Sequence, residues 1–264
     1  MGKLIKYELK GNYKLFGGLF GIVILLNILI FTRINKWSEP AIIALFSVVS
    51  VALFVTALVF VVNSFRNELY EDRGYLTFTL PVGGKKILAS KLITGVIWFA
   101  IAGILTLISG KILLGKLFDI NVMQQFNAYI NTKAMILIAI LFSIVNLIML
   151  LLLIYFSITL TRVALKRKRM SKLLGFVAFI LLNMGIYYIE YKLMQLFPQT
   201  IGFKLDFLQN VQSKAGSLSI GGQSMMSIND SSLNINIAST IYNIIIYIGL
   251  FLSTGYLMDN KIDI

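Results

Sequence analysis

The chain has 264 residues, of which 58% are hydrophobic and only 13% charged, and its mean hydropathy is +0.86. This composition leaves too little polar surface to cover a water-soluble globule of that length, so it indicates an integral membrane protein. The chain has no cysteine and no histidine, which excludes disulfides, thiolate chemistry and imidazole-based metal sites or general bases.

Residues 1–15 have the pattern of a basic amphipathic helix. The lysines recur on one helical stripe, and apolar and aromatic residues follow another: Lys3, Lys6, Lys10 and Lys14, then Ile5, Leu9, Tyr13 and Phe16. Such a helix lies in the plane of an anionic leaflet better than it crosses it. We therefore predict an elbow helix in the membrane plane. It is either also a border to a cytosolic partner or simply a positively charged lead-in to the first span.

Six apolar runs follow. Most have the roughly 20 residues that a helix needs to cross a hydrocarbon core of about 30 Å, and the first is short enough that its flanks must contribute. The predicted spans are residues 16–31, 41–62, 92–114, 134–161, 173–196 and 237–258. The sequence therefore predicts an all-α, polytopic membrane protein.

The distribution of basic residues predicts the orientation. Six spans put both termini on one side of the membrane. The N-terminus, the 63–91 and 162–172 loops and the C-terminus contain 16 lysines and arginines, whereas the loops around 32–40, 111–133 and 192–236 contain 8. By the positive-inside rule, both termini and the 63–91 loop are cytosolic.

The loop after the second span has local structure of its own. Ser64 is placed to cap a short helix, Phe65 and Leu69 share one face of it, and Gly74 supplies a left-handed stop. Apolar residues then alternate with Tyr75, Thr77 and Thr79, as in an extended segment, until Pro81 and the following glycines: the alternating residues are Leu76, Phe78 and Leu80. A mere connector would not need this alternation, so the pattern indicates a loop that binds a partner.

This loop carries a resemblance to a known family. The run Glu71-Asp72-Arg73-Gly74-Tyr75-Leu76-Thr77-Phe78-Thr79-Leu80-Pro81-Val82, followed by Lys85-Lys86-Ile87-Leu88 and Ser90-Lys91-Leu92, resembles the loop between the second and third spans of ABC-2 type transporter permeases. The basic N-terminus, the six spans and the length are similar as well. The resemblance implies that residues 1–264 form one ABC-2 type transmembrane domain and that the loop holds a coupling helix.

The resemblance also implies the partners. The coupling helix would dock into a separate ATPase subunit, which would hold the ATP and Mg²⁺, and a second permease copy or a paralogue would complete the transporter. The docking residues would be Glu68, Leu69, Glu71, Asp72, Arg73, Gly74, Tyr75 and Leu76. We expect the apolar and aromatic members to supply most of the contact energy and the carboxylates to pair with basic residues of the ATPase.

The sequence lacks a phosphate-binding loop. Ser109-Gly110-Lys111-Ile112 has neither the earlier glycine nor the serine or threonine after lysine, and Gly83-Gly84-Lys85-Lys86 has Thr79 where the first glycine is needed. Any ATP hydrolysis must therefore come from another polypeptide. We predict that the chain is not an enzyme by itself and binds no cofactor or metal.

The densest basic run lies between the fourth and fifth spans. It contains Arg162, the tetrad 166–169 and Lys172. Between two spans, such a run fixes topology and touches anionic lipid, which is a better explanation than nucleic-acid binding. A second contact to the ATPase is the alternative.

Few polar residues interrupt the spans. Asn183, Tyr187 and Glu190 follow one helical stripe of the fifth span and could line a path for an amphipathic cargo. The alternative is that Glu190, near the outer end of the span beside Tyr191 and Lys192, only anchors the membrane interface. In the segment 197–236 we expect an interfacial first half and a flexible, Ser, Gly and Asn-rich second half.

Taken together, the sequence predicts the membrane-spanning subunit of an ATP-driven exporter in a bacterial plasma membrane. Small permeases of this kind often export amphipathic or hydrophobic peptides, including toxins and bacteriocins, so the resemblance favours that cargo. An exporter of small hydrophobic drugs or lipids is an alternative, and so is a non-transporting immunity or scaffold protein. A secondary transporter or channel would need broken helices and more buried charge at mid-membrane.

Overall fold

The computed structural model of the protein describes residues 1–34, 36–70, 83–117, 132–164, 171–204, 226–229 and 232–260. These residues form six long helices and three short strands. The helices are α1 (Gly2–Thr32), α2 (Glu39–Tyr70), α3 (Gly84–Leu117), α4 (Thr132–Ala164), α5 (Ser171–Leu196) and α6 (Ile237–Asn260). The strands, all between α5 and α6, are β1 (Thr200–Lys204), β2 (Met226–Asn229) and β3 (Ser232–Asn236).

All six helices are long and apolar enough to cross a membrane. At 24 to 34 residues each, they measure about 36 to 51 Å at a rise of 1.5 Å per residue. Large apolar side chains such as Leu25, Val48 and Leu181 are more than 60% exposed, as expected for faces that contact lipid rather than water. The predicted multi-pass membrane protein with six spanning helices is confirmed at this level.

The chain groups into two compact units. Unit 1 comprises residues 1–123 and 255–264, and unit 2 comprises residues 124–254. Helix α6 therefore begins in unit 2, and its last residues belong to unit 1. That residues 1–264 form one ABC-2 type domain stays a prediction.

In unit 1, α1 packs against both α2 and α3 in successive layers. Buried residues of α1 recur every seven positions and place one stripe of the helix against its neighbours. The layers are Phe16 with Phe60 and Trp98, Val23 with Leu53 and Ala102, and Ile30 with Ile42 and Leu113. In the first layer, the Phe16 ring stacks on Trp98 with centroids 4.2 Å apart and planes 3° apart.

In unit 2, α4 packs against α5, and the small sheet joins α5 to α6. β3 is the central strand, and it pairs antiparallel with both β1 and β2. Asn236, the last residue of β3, caps α6 by accepting a hydrogen bond from the Ser239 backbone N–H at 2.9 Å. Its amide also donates to the Phe197 carbonyl at 2.9 Å, which fixes the end of α5 beside the start of α6.

The sheet is a finding that the sequence interpretation did not anticipate. The expected interfacial and flexible halves of 197–236 contain strands at both ends, because residues 200–204 and 232–236 pair residue by residue, from Thr200 with Asn236 to Lys204 with Ser232. Residues 205–225 and 230–231 lie outside the described residues.

Two helices extend beyond their predicted bounds. The structure does not show an elbow helix separate from the first span, since α1 runs without interruption from Gly2 to Thr32, and the elbow stays a prediction. Ser64 does not cap a new helix either, because α2 continues through it to Tyr70. In both places the backbone hydrogen bonds of the spanning helix extend beyond the apolar run.

Candidate functional site

The best-defined polar site in unit 1 is a buried ion cluster around Lys91. The Lys91 side chain is only 5% exposed, and its ammonium lies 2.7 Å from Glu8 Oε1 and 2.7 Å from Glu68 Oε2. Glu8 belongs to α1, Glu68 to the last turn of α2 and Lys91 to the third turn of α3. One ammonium therefore bridges three helices.

Ser64 and Asn12 complete this cluster. Lys91 Nζ donates to the Ser64 carbonyl at 3.3 Å and to its hydroxyl at 3.2 Å. The Asn12 amide also donates to the Ser64 hydroxyl, at 3.2 Å. We call Glu8, Asn12, Ser64, Glu68 and Lys91 the Lys91 cluster.

The charges of the Lys91 cluster do not balance. Two carboxylates face one ammonium, so the three ionised groups carry a formal charge of −1. Removing charge from water is costly, and a buried charge is tolerated only when close partners replace its hydration. The arrangement is therefore an assembled feature of the fold rather than a chance surface pairing.

A second contact holds the start of α3. The backbone N–H of Gly84 donates to the Asp259 carboxylate, at the end of α6, with a distance of 2.5 Å. A Cβ added at Gly84 would come 2.7 Å from the Met258 Cβ, and one at Gly255 would come 2.5 Å from Lys85 Cγ. Glycine at positions 84 and 255 is what allows the two helix ends to approach this closely.

The two contacts lie on either side of the predicted coupling segment. Glu68 precedes residues 71–82 by three positions, whereas Gly84 and Lys91 follow it. The end of α2 is thus held by the Glu68–Lys91 ion pair, and the start of α3 by the hydrogen bond from Gly84 to Asp259. Residues 71–82 themselves lie outside the described residues.

Of the eight predicted docking residues, the structure describes two. Glu68 is paired with Lys91 inside the chain, and Leu69 is buried, with 4% of its surface exposed. The others lie outside the described residues: Glu71, Asp72, Arg73, Gly74, Tyr75 and Leu76. Docking of these eight residues to an ATPase stays a prediction.

Comparison of the chain with known protein families, with curated proteins and with solved structures finds no match. The site is therefore interpreted from its own geometry and from the sequence of the loop.

A second buried carboxylate lies in unit 2. Glu190 of α5 is 7% exposed, and its Oε1 accepts from the Ser239 hydroxyl at 2.5 Å and from the Asn243 amide at 2.8 Å. Both donors belong to the first two turns of α6. We call Glu190, Ser239 and Asn243 the Glu190 cluster.

The predicted path residues have different surroundings. Glu190 faces α6 and is buried, Asn183 is half-buried, and Tyr187 is 61% exposed. The Glu190 carboxylate is bonded inside the protein, and the alternative in which Glu190 lies at the membrane interface also stays a prediction. A role of the three residues in a cargo path stays a prediction.

The described residues contain no group of three or more acidic side chains that could hold a metal ion. Four residues of unit 1 make polar contacts that the sequence did not predict: Glu8, Asn12, Lys91 as an ion-pair centre, and Asp259. A signal existed for Glu8, which is the one acidic residue among the four lysines of residues 1–15.

Proposed function

We propose that this chain is the permease subunit of an ATP-driven exporter and that residues 71–82 dock into a separate ATPase. Three observations support the proposal. The chain has six helices of membrane-spanning length, its loop sequence resembles that of ABC-2 type permeases, and the helices on both sides of the loop are braced by buried charge.

The bracing by the Lys91 cluster carries the proposal. A loop that only connects two spans needs no internal ion pair, because water solvates its charges at no cost. A loop that receives force from a partner needs firm attachment to the helices that must move. Lys91 provides such an attachment, since it joins the helices before and after the loop to α1.

The mechanism follows from this attachment. Closure of an ATPase dimer would displace the docked segment, and the displacement would reach the spans through α2 and α3. ATP and Mg²⁺ would bind to the ATPase, because this sequence has no phosphate-binding loop. The proposed cargo is an amphipathic or hydrophobic peptide, and this choice rests on the resemblance alone.

The test is a comparison of the isolated chain with its complex. The chain is expressed with an affinity tag in its native membrane, extracted in mild detergent and assayed for ATP hydrolysis before and after stringent washing. We expect hydrolysis only in the gently washed fraction, together with a second polypeptide that is labelled by a photoreactive ATP analogue.

The matched variants separate docking from general damage. The Tyr75→Ala, Leu76→Ala double variant should lose the labelled polypeptide, since truncating interface anchors commonly costs about 2 kcal/mol or more each. Trp37→Ala, an aromatic truncation at the turn between α1 and α2, should retain it. ATP hydrolysis by the stringently washed chain, or equal retention by both variants, contradicts the proposal.

A further inference from the structure

Among the described residues, the first N–H of α3 is bonded by a side chain from far along the chain. The first N–H groups of a helix have no acceptor within the helix, and the side chain of the residue before the helix normally accepts from the second or third of them. Here the preceding residue is Gly83, which has no side chain. The acceptor for the Gly84 N–H is instead Asp259, 175 residues further along the chain.

The chemistry of this contact suits a helix start. A carboxylate at a helix N-terminus is stabilised by the unpaired N–H groups and by the helix dipole. The close approach of the two backbones at Gly84 and Gly255 brings the carboxylate to the first turn of α3. The Asp259 carboxylate thus bonds the last turn of α6 to the N-terminus of α3.

We propose that Asp259 is a positioning residue for α3, acting as a tether through which movement of the first turn of α3 is passed to α6. The inference rests on the proposed function, because α3 is one of the two helices through which the displacement is proposed there to reach the spans. It adds α6 to the helices that receive the movement, whereas the Lys91 cluster reaches only α1, α2 and α3. Capping and tethering are separable, because a cap could be supplied locally at position 83.

Position 83 has room for a local cap. A Cβ added at Gly83 would lie 3.8 Å from both Asp259 carboxylate oxygens, which is ordinary van der Waals contact. Serine is among the preferred residues before a helix start. The Gly83→Ser substitution combined with Asp259→Ala therefore restores a cap to α3 without restoring the link to α6.

The first measurement uses the isolated chain in nanodiscs and does not depend on an ATPase. Hydrogen exchange of the Gly84 amide should be about tenfold faster in Asp259→Ala than in the parent, since a charge-assisted hydrogen bond is lost. Asp259→Asn, which keeps the acceptor oxygen, should remain close to the parent. Gly83→Ser, Asp259→Ala should leave the Gly84 amide fast but restore protection of the Lys85 and Lys86 amides, because a side chain at this position accepts from the second or third N–H of a helix. An unchanged exchange rate in Asp259→Ala overturns the cap and with it the tether.

The second measurement uses the complex with the ATPase. We expect cargo export per ATP hydrolysed to fall severalfold in Asp259→Ala, to stay low in Gly83→Ser, Asp259→Ala, and to be near the parent value in Asp259→Asn. Full recovery in the double variant means that Asp259 is only a cap and overturns the tether. If the parent chain forms no ATPase complex, the proposed function fails and the tether falls with it, while the exchange data still report whether the cap exists.

Discussion

Replacing Lys91 with methionine tests whether the Lys91 cluster holds unit 1 together. Methionine keeps the unbranched apolar stem but removes the ammonium. Glu8 and Glu68, whose side chains are 18% and 10% exposed, would then face each other without a counter-charge. Breaking a buried ion pair by removing one partner typically costs about 3–5 kcal/mol, because the remaining charge is left uncompensated.

The matched single substitutions should behave very differently. Glu8→Gln leaves one carboxylate opposite Lys91 and brings the formal charge of the cluster to zero. Its cost should be about 1 kcal/mol or less, since a close pair and the Ser64 hydrogen bonds remain. The triple variant Glu8→Gln, Glu68→Gln, Lys91→Met removes every charge and should recover at least half of the loss caused by Lys91→Met alone.

Unfolding can be followed by tryptophan fluorescence. The chain has two tryptophans, and Trp98 stacks on Phe16 in the layer next to the Lys91 cluster. In a Trp37→Phe background, the emission of Trp98 reports the separation of α1 from α3 during titration with SDS in mixed micelles. A midpoint for Lys91→Met equal to that of the parent, or a triple variant no more stable than Lys91→Met, would refute the reasoning.

Three further predictions concern other parts of the chain. Gly84→Ala should destabilise the protein by about 1–3 kcal/mol, because the added methyl group overpacks against Met258. The control is Gly103→Ala, the same substitution in α3 at a position with no described atom within 4 Å of the added Cβ. Equal melting temperatures of the two variants would contradict the close approach at Gly84. Glu190→Gln should lower the stability only slightly, because an acceptor oxygen remains for the Ser239 and Asn243 donors. Glu190→Leu should lower it by about 1–3 kcal/mol, because both donors lose this acceptor. Detergent melting curves that rank the two variants in the opposite order would exclude the bonding seen here. The predicted orientation can be tested with single cysteines at the exposed positions Lys86 and Gln199 and an impermeant maleimide on intact cells. The cysteine at 199 should be labelled and the cysteine at 86 should not. Labelling at 86 alone would mean that the orientation is the reverse of the predicted one.

The sequence predicted the number of spans well because hydropathy measures what a spanning helix must satisfy. It did not predict where the helices end. The third span was expected at 92–114, whereas α3 covers Gly84–Leu117. The additional turns carry lysines, which hydropathy counts against a span, although their backbone hydrogen bonds continue the helix and the Lys91 side chain is paired with Glu8 and Glu68.

The small sheet was missed for a different reason. The Ser and Asn content of 213–234 indicated a flexible segment. The period of the apolar residues indicates a strand instead, because Leu233 and Ile235 alternate with Ser232 and Asn234. Pairing with residues 200–204 then supplies the hydrogen bonds that a single strand lacks. That partner is separated by about 30 residues, and sequence alone does not reveal it.

The polar sites were only half predictable. Glu68 was predicted to dock to an ATPase, and Glu190 to line a cargo path or to lie at the membrane interface, but the partners of neither residue within the chain were predicted. Glu68 is bonded to Lys91 and Glu190 to Ser239, contacts that depend on how the helices pack rather than on spacing along one helix. Asp259 gave no signal at all, because a carboxylate near the end of a helix is ordinary until another helix begins beside it.

The Glu190 cluster also bears on how the protein is made. During synthesis, α5 leaves the ribosome with its carboxylate long before its partners exist, since Ser239 and Asn243 follow 49 and 53 residues later. On insertion scales, an ionised side chain opposes entry into lipid by up to about 3 kcal/mol, although less near a helix end. We therefore expect α5 to stay at the translocon until α6 has been synthesised, so that the two helices enter the bilayer together.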